Sequence, residues 1–236
     1  MKLSLIFLVL PCLCFCQIDP PTNGIKIRDS LYLDATEMAN IHWLEFEYHI
    51  KKDSSEAFWK SILPDTTLMS EEKDNYFRSR DSRYYPLVGI TYEQALIYCK
   101  WRTAVVNQKF SRERGYLVNY RLPTEEEWKL GAALIDTAKV KKFVLASETD
   151  ERSKPSLQNI YFPKQVECCP NIKAKKFFNY LGNVAELVAE RGVVKGGSWR
   201  HALSSSLSSK RIVIDTKKAY DWVGFRCITD ILPLAN

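Results

Sequence analysis

The sequence predicts one globular domain of mixed helix and strand with much irregular structure. Three observations predict it. The 236 residues carry an ordinary apolar fraction and no long low-complexity tract, which suits a single core. Two Thr-led capping boxes announce helices in the first two-thirds of the chain. From about Val144 to Trp222 the chain turns rich in Gly, Ser, Asn and Pro, with only short β-like runs.

Residues 1–16 read as Lys2 followed by an apolar run from Leu3 to Cys16, too short to span a membrane and placed where a secretory leader belongs. Cys14 and Cys16 fit the small positions before a cleavage site, so the mature chain is expected to start at Gln17. The alternative makes Cys16 a lipid anchor, against which Phe15 is a poor neighbour; soluble export is the favoured reading. Residues 17–30 are turn-rich and read as an N-terminal extension, leaving 31–232 as the domain.

Asn40 is a favoured N-cap, and Ile41, Leu44 and Tyr48 follow at helical spacing, so a helix starts there. Residues 51–84 are polar and charged and read as a surface excursion. Thr91-Tyr-Glu-Gln94 opens a second helix through Ala95, Tyr98, Cys99 and Trp101. Thr124-Glu-Glu-Glu127 opens a third after Pro123; its three acids are read as capping and dipole-complementing groups rather than a catalytic cluster. Gly192–Lys195 and Arg211–Ile214 are the β-like runs of the loop-rich half.

The formal charge of +6 is spread without a long basic run beyond short Lys clusters at 139–142, 173–176 and 217–218, so nucleic-acid binding is not indicated. Zinc spacing, Walker loop, dinucleotide fingerprint and nucleophile elbow are all absent from the sequence, and so is any internal repeat. After removal of the leader the cysteines are Cys99, Cys168, Cys169 and Cys227; four cysteines allow three pairings, and the spacing alone chooses none. A bridge between the adjacent Cys168 and Cys169 would be strained, so they stand as free thiols, a vicinal bridge or a partner contact, and equally as small buried apolar residues.

Five blocks carry a family resemblance: Tyr-Pro-Leu-Val-Gly-Ile-Thr-Tyr-Glu-Gln-Ala-Leu-Ile-Tyr-Cys-Lys-Trp (85–101), Arg-Leu-Pro-Thr-Glu-Glu-Glu-Trp (121–128), Leu-Gly-Asn-Val-Ala-Glu-Leu (181–187), Lys-Gly-Gly-Ser-Trp (195–199) and Trp-Val-Gly-Phe-Arg-Cys (222–227). In this order they resemble the sulfatase-modifying-factor domain of formylglycine-generating enzymes over roughly residues 30–230. The resemblance implies an α+β fold of the C-type-lectin-like kind. Thr-Glu-Met-Ala-Asn (36–40) is similar to an early strand end of that family, whose Gly-rich opening is not recognisable here.

In active members a cysteine pair after the Gly-Gly-Ser-aromatic block binds copper and activates oxygen. Counted forward from Trp199, those positions fall on Ser206 and Arg211, and no residue between Arg200 and Arg226 carries sulfur. A thiolate grips Cu(I) because both are soft; a hydroxyl stays protonated and a guanidinium repels metal, so no copper is expected and the known chemistry is excluded. The resemblance further implies calcium held by Asn179, Gly182, Val184 and Glu186, all offering hard oxygen donors. A second calcium loop would begin at Asn159-Ile160, but the acidic ligand that the resemblance places further on is not evident before Pro170, and the loop reads as degraded. The resemblance also pairs Cys99 with Cys227 as a disulfide.

His42 and His49, seven apart on the first helix, cannot grip one metal without further ligands. His201 is read as a groove-lining side chain, and Ser204, Ser205, Ser206, Ser208 and Ser209 as a flexible loop with no base to activate them. The leading functional reading is an exported, non-catalytic member with a structural or binding role in the periplasm or at the outer membrane, its partners being envelope proteins. Trp-Arg-Thr (101–103) and Gly-Asn-Val-Ala-Glu (182–186) are most similar to Bacteroidetes gliding-motility and type IX secretion members. The alternative is an oxidoreductase of the same fold without the cysteine pair, using His201 or Glu190 as base. A carbohydrate-binding module with Trp199 or Trp222 as an exposed platform is the third reading.

Overall fold

The computed structural model describes residues 21, 23–69, 73–135, 170–171, 177–201 and 209–234. The expected leader and Cys16, the Cys168-Cys169 pair, the Asn159-Ile160 loop, two of the Lys clusters and the serines at 204, 205, 206 and 208 lie outside the described residues.

Two four-stranded sheets organise the molecule. The first has the order β1(Gly24–Arg28), β2(Leu31–Asp34), β10(Ile228–Pro233), β3(Tyr116–Arg121), with every neighbouring pair antiparallel. The second runs β8(Ile212–Val213), β7(Val193–Lys195), β6(Ala185–Leu187), β9(Val223–Gly224), and its β6–β9 pair is parallel. A short ribbon joins β4(Pro170–Asn171) to β5(Phe177–Phe178). The helices are α1(Asn40–Asp53), α2(Glu56–Ser61), α3(Lys73–Arg78), α4(Tyr92–Arg114) and α5(Glu125–Ala133), with a 3-10 turn at Thr66–Leu68. The first sheet starts at Gly24, so residues read from sequence as an extension are its edge strand.

Both capping boxes form. The Thr91 hydroxyl accepts from the Gln94 amide and Gln94 Oε1 takes the Thr91 N–H at 2.7 Å, while Glu127 Oε2 takes the Thr124 N–H at 2.8 Å. Gly115, at φ +70°, ends α4 in the left-handed conformation that an L side chain resists. The three acids of α5 serve structure as expected. Glu127 forks with Arg121, Glu126 pairs with Lys129, and Glu125 meets Lys129, Lys195 and Arg211.

Helix α1 departs from expectation in two ways. Its cap is Ala39, and Asn40 is the first helical residue, because the Asn40 amide instead donates to the carbonyls of Tyr76 and Ser82. Its buried face is Trp43, Phe46 and Glu47 rather than the Ile41–Leu44–Tyr48 line, and Tyr48 is exposed. The larger rings win the interior: Trp43 stacks on Tyr98 at 5.5 Å and Phe46 meets Trp101 at 5.1 Å. Residues 51–84 are likewise no mere surface excursion, since Ile62, Met69, Tyr76 and Phe77 join the same core. Their apolar residues are too sparse to show a period, and burial comes from isolated anchors.

A smaller core gathers Trp128, Phe177 and Tyr180 with Leu31, Leu33 and Ile228 of the first sheet. Gly131 of α5 lets Tyr180 reach the Trp128 carbonyl at 2.6 Å, and a methyl at 131 would stand 2.2 Å from the Tyr180 hydroxyl and 2.7 Å from Leu33 Cδ2. Gly131→Ala is therefore expected to lower stability by about 1–3 kcal/mol, more than its helix propensity returns, as a reduced urea midpoint would report.

Candidate functional site

The centre of the molecule is a buried polar knot between the two sheets. Arg226, from the chain segment entering β10, and Glu186, on β6, have no solvent-exposed side-chain surface. Arg226 Nε donates to both Glu186 oxygens at 2.8–2.9 Å and its Nη2 donates to Oε1 at 2.6 Å. Its remaining donors reach the carbonyls of Asp34, Ala35 and Phe178, and its plane lies over Tyr180. Trp128 Nε1 donates to the second Glu186 oxygen at 2.7 Å. Burial alone would weaken the guanidinium, but the facing Glu186 charge outweighs it and holds Arg226 more firmly protonated than usual.

Glu37, between β2 and α1, closes the other side of this knot. Its carboxylate accepts from Asn179 Nδ2, from Asn183 Nδ2 and from the Val184 N–H at 2.8–3.3 Å. Burial and the neighbouring Glu186 push its pKa up to about 8, against the pull of Arg226 and the two asparagines. Asn179, Gly182 and Asn183 all have positive φ, which curls the 179–184 loop around this carboxylate.

Asn179, Gly182, Val184 and Glu186 thus share one loop and strand, as calcium binding would require. The donor set does not fit a calcium ion as packed. Both Glu186 oxygens are saturated by Arg226 and Trp128, and a cation there would face a permanent guanidinium. Among the described residues no three His, Cys, Asp or Glu side chains group to hold a metal ion. Millimolar calcium or excess chelator is expected to move the melting temperature by less than about 1 °C, whereas 100-fold saturation of a real site would add about 2.7 kcal/mol; a calcium-dependent rise would restore the family-type site.

Arg211, one of the two positions counted for the cysteine pair, donates from Nε to Glu125 Oε2 at 2.8 Å. Lys195 reaches the same carboxylate at 3.5 Å and donates to the Lys210 carbonyl. Burial opposes the Glu125 charge, but the Lys129 hydrogen bond with the Lys195 and Arg211 charges more than offsets it and holds its pKa below the usual range. Burial lowers the Lys195 pKa, with Glu125 resisting. Glu190, a base candidate, accepts the Glu125 N–H at 2.7 Å and so serves the start of α5.

His201 Nδ1 lies 2.6 Å from Ser198 Oγ, its ring edge-on to Trp222 at 4.7 Å. Partial burial, helped by Arg200, lowers its pKa and favours the neutral ring. Trp199 and Trp222 flank the 179–186 segment, the Trp199 N–H bonding the Asn183 carbonyl and the Ala185 N–H bonding that of Trp222. Both are only partly exposed and pack on the core, not as an open platform. His42 accepts the Ala39 N–H at 3.4 Å while His49 lies against Trp101, so the two imidazoles have separate roles. Cys99 on α4 and Cys227 before β10 do meet, as thiols with sulfurs 3.7 Å apart.

Sequence reasoning missed Glu37 and the Arg226–Glu186 pair. A signal is present in the sequence: Glu186 and Arg226 each stand between two apolar residues inside the blocks 181–187 and 222–227, and Glu37 precedes Met38 in Thr-Glu-Met-Ala-Asn.

A mixed fold of two small sheets and long capped helices, tied by a buried Arg–Glu pair, defines the architectural class. The chain belongs to the family described as the sulfatase-modifying factor enzyme 1-like domain, whose model matches residues 15–231. Among solved structures it is similar to PvdO from Pseudomonas aeruginosa, with 17% identity over 85% of this chain and 80% of that one at a TM-score of 0.51. It is also similar to Treponema denticola variable protein 1, with 15% identity over 85% and 84% at TM-score 0.43. CarF matches with 16% identity over 87% of each chain at TM-score 0.44. No curated protein matches. Identity at this level speaks for the fold alone.

Proposed function

We propose that this protein is a non-catalytic member of its family, exported to the cell envelope, where it serves assembly or binding. One observation carries the reading: Arg211, at a position expected to bear a metal-gripping sulfur, is instead committed to Glu125 as a structural ion pair. A guanidinium held there repels a cuprous ion, and the stretch from Arg200 to Arg226 supplies no thiolate to replace it. The leader-like residues 1–16 support export, with either cleavage before Gln17 or a lipid on Cys16. Among the described residues no helix is long and apolar enough to cross a membrane.

Envelope proteins are the proposed partners, in a role like that of gliding-motility and type IX secretion members. The test is direct. Purified full-length protein incubated with Cu(I), oxygen and a cysteine-containing sulfatase peptide is expected to yield no aldehyde and to retain no stoichiometric copper; either product overturns the reading. Intact mass of the protein from envelope fractions should show an N-terminus at Gln17, or a diacylated Cys16; recovery of the uncleaved chain from the cytosol would remove the export half.

A second reading has one supporting contact. A neutral His201 braced by Ser198 is arranged as a base beside Trp222, as an oxidoreductase without cysteines would need. His201→Gln would abolish turnover on that reading and leave partner binding intact on the first.

A further inference from the structure

The contact between Cys99 and Cys227 carries more than a pairing. The two sulfurs are 3.7 Å apart, with both residues almost wholly removed from solvent. They join the middle of α4 to the start of β10, two elements 128 residues apart in sequence. One turn further along α4, Arg102 forks with Asp34 of β2 at 2.6 and 3.2 Å and lies over the Tyr120 ring at 4.0 Å. Asp34 also accepts the Cys227 N–H at 3.2 Å. One ion pair therefore holds both cysteine-bearing segments. Both cysteines share one buried cluster with Tyr98, Trp43 and Phe225, whose rings contact one another.

We propose that the redox state of Cys99 and Cys227 is set while the chain folds and is then locked, so that the folded protein keeps whichever state its folding compartment imposed. The chemistry requires access that only the unfolded chain has. A Cys99 thiolate attacks a small disulfide such as oxidised glutathione, expelling one glutathione as its thiol. The Cys227 thiolate then attacks the Cys99 sulfur and expels the bound second glutathione, so two cysteine thiols become one disulfide and one disulfide becomes two thiols. Each attack needs a thiolate and an in-line path to sulfur. In the folded protein neither is present: the hydrogen bond with Cys227, together with burial, pushes the Cys99 thiol well above its ordinary value, and the buried sulfurs leave a bulky disulfide no approach. Exchange must then pass through a rarely populated opening. Which state is populated in the cell rests on the export reading, but the lock itself does not.

The test uses the full chain with Cys168→Ser and Cys169→Ser substitutions, reading the 99–227 linkage by peptide mass mapping. Refolding from denaturant with glutathione disulfide is expected to form the linkage. Protein refolded under reductant and then given the same disulfide in native buffer is expected to form it at least ~100-fold more slowly, with the linked form equally resistant to reductant until denaturant is added. Equal rates in the folded and unfolded chains, or no linkage after oxidative refolding, would overturn the proposal. Failure of the export measurements above would leave both results readable.

Discussion

Replacing Arg226 with Met is expected to lower the free energy of unfolding by about 3–5 kcal/mol, the range for removing one partner of a buried ion pair. The cost does not measure the attraction in the pair. It arises because Glu186 would remain buried as a charge with only Trp128 as donor, while the carbonyls of Asp34, Ala35 and Phe178 would lose theirs. Neutralising the orphan should recover part of the loss, so Arg226→Met with Glu186→Gln is expected to be less destabilised than the sum of the two single changes. Urea titration of all four proteins closes the cycle. Strict additivity would mean that the two groups do not hold each other, and the buried knot would lose its role as the tie between the sheets.

Glu37 should make stability fall as pH rises. Its folded pKa of about 8 exceeds the ordinary carboxyl value of 4.5. Between those values the unfolded chain loses this proton while the folded chain keeps it. Folding then carries a growing penalty through that window, and the stability present below pH 4.5 is progressively lost up to about pH 8. The full shift corresponds to roughly 3–5 kcal/mol at 1.36 kcal/mol per unit. Glu37→Gln cannot titrate, so it should lack this slope, although its amide would meet the donors of Asn179 and Asn183 and lower the baseline. Urea unfolding of both proteins at pH 5 and pH 8 measures the difference in slope. Parallel pH profiles would show that Glu37 is ionised throughout, with its four accepted hydrogen bonds sufficient to hold the charge.

The sequence is legible where the physics is local. Thr91 and Thr124 start their helices because a hydroxyl followed three residues on by Gln or Glu satisfies amides within one turn. Short strands at Val193–Lys195 and Ile212–Val213 fall inside the runs expected from β-like residues. The sequence shows that helix α1 exists but not which face it buries, because the residues that select that face are the rings of α4, far away in sequence. The burial of residues 51–84 is hidden in the sequence for a similar reason: Tyr76 takes its place through the Pro86 carbonyl and Asn40, not through any pattern of its own.

The candidate site divides in the same way. The missing sulfur between Arg200 and Arg226 needs no structure to be known, because residue identity alone decides whether a soft metal has a ligand. The family, too, was legible from five blocks in order, since each records a local turn, cap or strand end. Charge partnership was not legible. Glu186 is oxygen-rich in either setting, and only the approach of Arg226, 40 residues later, turns it from a free donor into half of a saturated pair. That choice depends on which groups share a buried space, where the low dielectric makes each neighbour decisive. Sequence names the atoms available; folding alone determines which of them face one another.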